Sequence, residues 1–228
     1  MSKKAELVGS HFPTIYLTVI SLLQGIALSI IVPNFITYLD IVENPWSHVE
    51  VIPMVLMLLI IFIVWHHYAI GIFFLRWFPN IIDTIIPFVV SIGQFYLMSF
   101  LKIENSITEI DVVSWTLGFA FFMMIGSAAY FAAYFRIDAD LFTNLMSKAN
   151  AVIHRDSTKK YFLVAGFSIL FQGSFALFFS LLHKENWLVI SLFLMLSHLV
   201  IFEYILIRFV KPHFVKSLDE FEEKGNNH

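Results

Sequence analysis

Cysteine is absent from this chain of 228 residues, which excludes disulfides, thiolate-bound zinc, iron–sulfur clusters and a thiol nucleophile. Charge is scarce too. Asp, Glu, Lys and Arg make up 14% of residues, against about 25% in ordinary soluble proteins. The net charge of −3 is small and scattered, so no nucleic-acid partner is expected. No phosphate-cradling glycine loop, His-Glu-x-x-His or Gly-x-Gly-x-x-Gly occurs, and neither a metal nor a cofactor is expected. What fills the chain instead is apolar: 59% hydrophobic residues, with 26 phenylalanines, a composition suited to lipid contact.

The apolar residues fall into six long runs, and a helix needs about 20 of them to cross a bilayer core. The runs predict an all-α, polytopic membrane protein of six transmembrane helices in an antiparallel bundle, with spans at about 13–38, 51–77, 80–102, 113–136, 161–183 and 186–209. The whole chain, 1–228, reads as a single membrane domain. The first run is longer than the 7–15 apolar residues usual in a cleaved signal peptide, and no small-x-small site follows it.

Basic residues set the orientation. Of the fourteen Lys and Arg, twelve fall on one side of the spans, and Lys102 and Lys184 alone fall on the other. The positive-inside rule therefore places both termini in the cytoplasm. A plasma membrane or bacterial inner membrane is the expected location. The outer loops are acidic, with Asp40, Glu43, Glu50, Glu104, Glu109 and Asp111.

The largest piece outside the spans is 137–160, a cytoplasmic loop or amphipathic helix. Within it Leu141, Phe142, Leu145 and Met146 recur at helical spacing, which suits an extension of helix four or a helix lying on the inner surface. Those four residues are candidates for binding a cytoplasmic protein partner, as is the tail 210–228, where Ser217 and Glu220 are spaced as a capping box.

Polar residues inside the spans are costly in lipid and are the candidates for function. Helices one, three and five each carry a central glutamine, Gln24, Gln94 and Gln172, with Ser21, Ser91 and Ser168 close by. The outward helices thus hint at three repeated hairpins, while glutamine and serine also serve as plain interhelical glue. The ionisable candidates are His66 and His67 in helix two, Asp83 in helix three, and His198 and Glu203 in helix six. A carboxylate and an imidazole in one site can relay protons or hold a cation. Asp83 also fits a first-turn position after an Asn80 cap, and Glu203 also fits an ion pair with an inner-end arginine. Small residues from Gly118 to Ala133 give helix four a close-packing surface, and Pro87 predicts a kink in helix three.

Gly166-Phe167-Ser168 with His198 resembles the serine–histidine pair of rhomboid proteases, over four residues. No small residue follows Ser168, no glycine pair follows His198, and Ile70 and Gly71 stand where helix two would need oxyanion donors. Trp65-His66-His67, Asn80 and Pro87-Phe88 resemble six-helix potassium channels of the lysosomal and prokaryotic type. Their Phe-Ser-Asp signature is missing from helix one, which reads Ser21-Leu22-Leu23-Gln24-Gly25, and no functional residues carry over. The expectation is a non-enzymatic, homo-oligomeric ion channel or small-solute transporter in a lipid bilayer, the alternative being a sensor or scaffold subunit acting through 137–160 and the tail, with an intramembrane enzyme a distant third.

Overall fold

The computed structural model describes residues 3–71, 81–104, 107–108, 110–137, 148–181 and, near the C-terminus, 190, 193–194, 196–201, 203–204 and 208. The candidate residues Leu141, Phe142, Leu145 and Met146 and the tail 210–228 lie outside the described residues. The described chain is helical: α1 (Lys3–Ile41), α2 (Val51–Ala69), α3 (Ile81–Met98), α4 (Val112–Arg136) and α5 (Lys148–Leu181). The described residues between 190 and 208 are helical as well.

Among the described residues, four stretches are long and apolar enough to cross a membrane: Ile15–Ile41, Val51–Ala69, Val112–Arg136 and His154–Leu181. The apolar part of α3 is shorter, Ile85–Met98. Length and composition together fit a multi-pass, membrane-embedded protein.

Turn chemistry sets several helix ends. After α1, Asn44 takes a left-handed conformation (φ 54°), which asparagine tolerates better than most residues. A 3-10 turn, Pro45–Ser47, follows, and the Ser47 hydroxyl donates back to the Asn44 carbonyl at 2.7 Å. The third helix stops at Met98, short of the expected 102, because Ser99, Phe100 and Leu101 tighten into turn bonds to Tyr96, Leu97 and Met98. Beyond it comes a two-residue pairing of extended chain. Strand β1 (Ile103–Glu104) pairs antiparallel with β2 (Ile107–Thr108), Ile103 opposite Thr108. Asp111 then caps α4, its carboxylate accepting the Ser114 N–H at 2.9 Å.

Of the segment 137–160, the structure describes Ile137 and Lys148–Lys160. Helix four ends at Arg136 without extending further, and Lys148–Lys160 forms the first turns of α5. That stretch contains neither glycine nor proline, so nothing in it stops a helix. Its buried residues His154 and Thr158 continue into Tyr161 and Ala165 at helical spacing.

The chain divides into two compact units, Met1–Phe122 with Phe175–Leu194, and Met123–Ser174 with Met195–His228. In the first, α1 packs against α2 and α3. One stripe of α1 is buried, running through Tyr16, Ile20, Gln24, Ala27, Ile31 and Tyr38, while Ile15, Leu22, Ile26 and Ile36 are exposed. A soluble protein would hide those side chains; a bilayer is their natural solvent. Gly93 of α3 lets α4 come close, since a Cβ there would lie 2.7 Å from the Phe122 ring.

In the second unit α4 and α5 are held by a polar contact and by ring packing. The Ser127 hydroxyl donates to the Gly166 carbonyl at 3.0 Å, and Phe131 packs edge-on against Phe167 at 5.1 Å. Part of the small-residue surface of α4 is used here: Ser127 and Ala133 are buried.

Candidate functional site

In the first unit, Gln24 of α1 and Gln94 of α3 form a closed amide pair. Gln24 Nε2 donates to Gln94 Oε1 at 3.2 Å, and Gln94 Nε2 donates to Gln24 Oε1 at 3.1 Å. Both residues are buried, 5% and 0% exposed. Each primary amide spends a donor and an acceptor on its partner, so the pair works as a clasp between two helices. One helical turn away, the Trp65 indole N–H of α2 donates to the Ser21 hydroxyl at 3.1 Å. His66 and His67 sit in the last turn of α2, where the helix dipole favours positive charge, with ring centroids 6.3 Å apart. The backbone of Asp83 lies in the first turn of α3, and its side chain is outside the described part. A cleft of about 370 Å³ is lined by Ile30, Asn34, Phe95, Met98, Ser99, Lys102 and Ile103.

The second unit holds the sharper arrangement. Ser168 of α5 and His198 are joined by a hydrogen bond of 2.7 Å between the serine hydroxyl and imidazole Nε2. The direction of donation follows the histidine tautomer. The Phe171 ring lies 5.7 Å from the imidazole. Tyr161, Ala165, Ser168 and Gln172 recur at spacings of four, three and four residues, which places them on one face of α5. Tyr161 and Gln172 are buried, 4% and 3% exposed. Glu203, half-buried, stands close enough to Tyr161 for its charge to act on the phenol.

The chain matches no protein-family model, no curated protein and no solved structure. The chemistry therefore has to be read from the residues themselves.

Two facts fix how α5 and the helical residues beyond 195 run. Ser168 is level with His198, and Tyr161 is near Glu203, so a lower number on one element meets a higher number on the other. The two elements are antiparallel. From Tyr161 to Gln172 the polar stripe covers ~16 Å at 1.5 Å per residue, about half of a hydrocarbon core. It contains a phenol, a hydroxyl and a carboxamide on α5, with an imidazole and a carboxylate on the partner element. Among the described residues no three His, Cys, Asp or Glu gather into a metal-binding group.

The polar candidates thus divide. Gln24 and Gln94 come together, whereas Gln172 belongs to the other unit. His66, His67 and Asp83 belong to the first unit, and His198 and Glu203 to the second. Tyr161 is not among the candidates read from the sequence; its burial and its place on this face of α5 put it in the stripe. The signal that finds it is its spacing of seven residues from Ser168, two turns along the same face. The Trp65–Ser21 bond had no signal of that kind, because it joins different helices.

Proposed function

We propose that this protein is an ion channel or small-solute transporter, with six spans, both termini in the cytoplasm of a plasma or bacterial inner membrane, and a homo-oligomeric assembly. His198 and Glu203 are its ionisable element, and Ser168, Gln172 and Tyr161 supply the neutral polar groups beside them. The observation that carries this reading is the 2.7 Å Ser168–His198 hydrogen bond, set in a polar stripe on helices that are otherwise apolar. Charged and titratable groups inside spans are kept there at a cost, which function explains more readily than packing. The closed Gln24–Gln94 pair supports a bracing role for those two residues, leaving the second unit to handle the solute.

The test is ion flux through the purified chain in liposomes. Glu203→Gln is expected to lower the flux at least tenfold while leaving helical content unchanged. A reconstituted protein that passes no ions, and in which Glu203→Gln changes nothing, would overturn the reading. Orientation is tested on the same cysteine-free chain. A Ser47→Cys variant is expected to react with a membrane-impermeant maleimide on intact cells, and Asn226→Cys only after permeabilisation.

A second reading has one specific observation behind it. A serine within hydrogen-bonding distance of an imidazole is also the first requirement of a serine nucleophile. Covalent labelling of Ser168 by a fluorophosphonate, abolished in His198→Gln, would favour an intramembrane hydrolase over transport.

A further inference from the structure

Resting on the transport reading above, we propose that the species moved is the proton, carried by the Ser168–His198 pair with Glu203 as its inner loading group.

The chemistry of the stripe selects this ion. A neutral imidazole has one donor and one acceptor nitrogen, and a hydroxyl can donate once and accept twice. A proton can therefore enter such a pair on one side while another leaves from the other. At 2.7 Å the hydroxyl and Nε2 are already at transfer distance.

A metal cation asks for a different site. Calcium takes 6–8 oxygen ligands, and magnesium demands a near-octahedral shell. Among the described residues of the second unit the carboxylates are Glu203 and Asp156, and Asp156 is paired with Arg155 at 2.8 Å. No group of three potential ligands forms among the described residues. An anion would need a basic residue at the level of Ser168 and His198, and none of the described ones is there. Lys159 lies over the Tyr134 ring, Arg208 donates to the Tyr204 hydroxyl at 3.2 Å, and Arg136 donates to the Ala132 carbonyl at 3.0 Å. By the antiparallel register all three stand inward of the pair. The titratable groups between them and His198 are Lys160 and Tyr161 from α5 and Glu203 and Tyr204 from its own element; α4 brings Tyr130 against Phe162, next to Tyr161.

The transfer balances with water as the partner at each end. Glu203 takes a proton from cytoplasmic water on its carboxylate. Five residues of helix, ~7.5 Å along the axis and ~140° around it, separate Glu203 from His198, so the proposed relay needs bridging water there. His198 accepts the proton at Nδ1 as Glu203 gives it up, forming the imidazolium. The Nε2 proton passes to the Ser168 oxygen as the serine's own hydroxyl proton leaves to water on the outer side. One proton enters and one leaves. The imidazole exchanges its remaining proton between nitrogens before the next cycle.

The experiment is proton flux into liposomes holding the purified full chain, read with a trapped pH dye under a potassium-diffusion potential. Sodium, potassium and chloride fluxes are measured in parallel. Proton uptake is expected to track the potential and to fall at least tenfold in His198→Gln, a variant that keeps a hydrogen-bonding amide toward Ser168 but cannot titrate. Ser168→Ala is expected to fall comparably, and Ser29→Ala, at an exposed hydroxyl on α1, to retain flux. Monodisperse elution and unchanged helical content confirm that each variant folds. Sodium, potassium or chloride flux without proton flux overturns the proton assignment and leaves the transport reading standing. Full proton flux in His198→Gln likewise overturns it. No flux of any ion overturns both.

Discussion

Replacing Gln24 by leucine keeps the side chain's approximate volume and removes both of the hydrogen bonds that tie it to Gln94. Each bond is near 3.1–3.2 Å, and side-chain bonds between membrane helices average about 0.6 kcal/mol, reaching about 1.7. The reciprocal pair therefore contributes ~1–3 kcal/mol between α1 and α3. The single substitution costs more than that. The orphaned Gln94 amide is 0% exposed, and a buried amide left without partners adds about 1–3 kcal/mol. Gln94→Leu should cost a similar amount by the same route. The double variant loses the clasp but leaves no orphan, so it should be scarcely worse than either single. A double-mutant cycle on unfolding free energies in detergent or bicelles, by steric trapping or denaturant titration, is expected to give a coupling of at least ~1 kcal/mol. Additive single effects, with coupling below ~0.3 kcal/mol, would refute the view that these glutamines satisfy each other.

Two further outcomes follow from packing and capping. A methyl group at Gly93 would sit 2.7 Å from the Phe122 ring, so Gly93→Ala should destabilise the first unit by about 1–3 kcal/mol through overpacking, a loss that Phe122→Leu recovers in a thermal-unfolding assay. Asp111 caps α4 outside the membrane, and bonds from Ser114, side chain first and then backbone, hold its carboxyl below the usual carboxylate value. A depressed carboxyl stabilises the fold above its unfolded value, near 3.9, and that contribution is lost as pH falls through the lower folded value. Asp111→Ala should then cost about 1 kcal/mol at neutral pH, with the gap to the native chain closing below about pH 4; a gap that is constant with pH would count against the cap.

The helices were legible because their signals are local. An apolar run of membrane length declares itself without knowledge of its neighbours, as in Val51–Ala69 and Val112–Arg136. Helix α5 shows the limit of such reading. Its apolar run marks a span beginning at 161, yet the helix already starts at Lys148 and continues through Arg155, Lys159 and Lys160. The turn after α3 was invisible for the opposite cause, since Ser99–Leu101 is apolar enough to continue a span yet folds back on Tyr96 and Met98.

Partnership was a different matter. Composition and spacing by themselves determined that the chain is helical and apolar, which residues interrupt its runs, and that Gln24, Gln94, Gln172, Ser168, His198 and Glu203 are the groups worth watching. Depth along a helix can be counted from sequence, because rise per residue is constant. Which helix faces which cannot, because that depends on crossing geometry and close approach at positions such as Gly93 and Gly166. Tertiary structure alone decided that two of the glutamines close on each other. It likewise decided that Ser168 meets His198 across thirty residues of chain, a pairing that no local periodicity encodes.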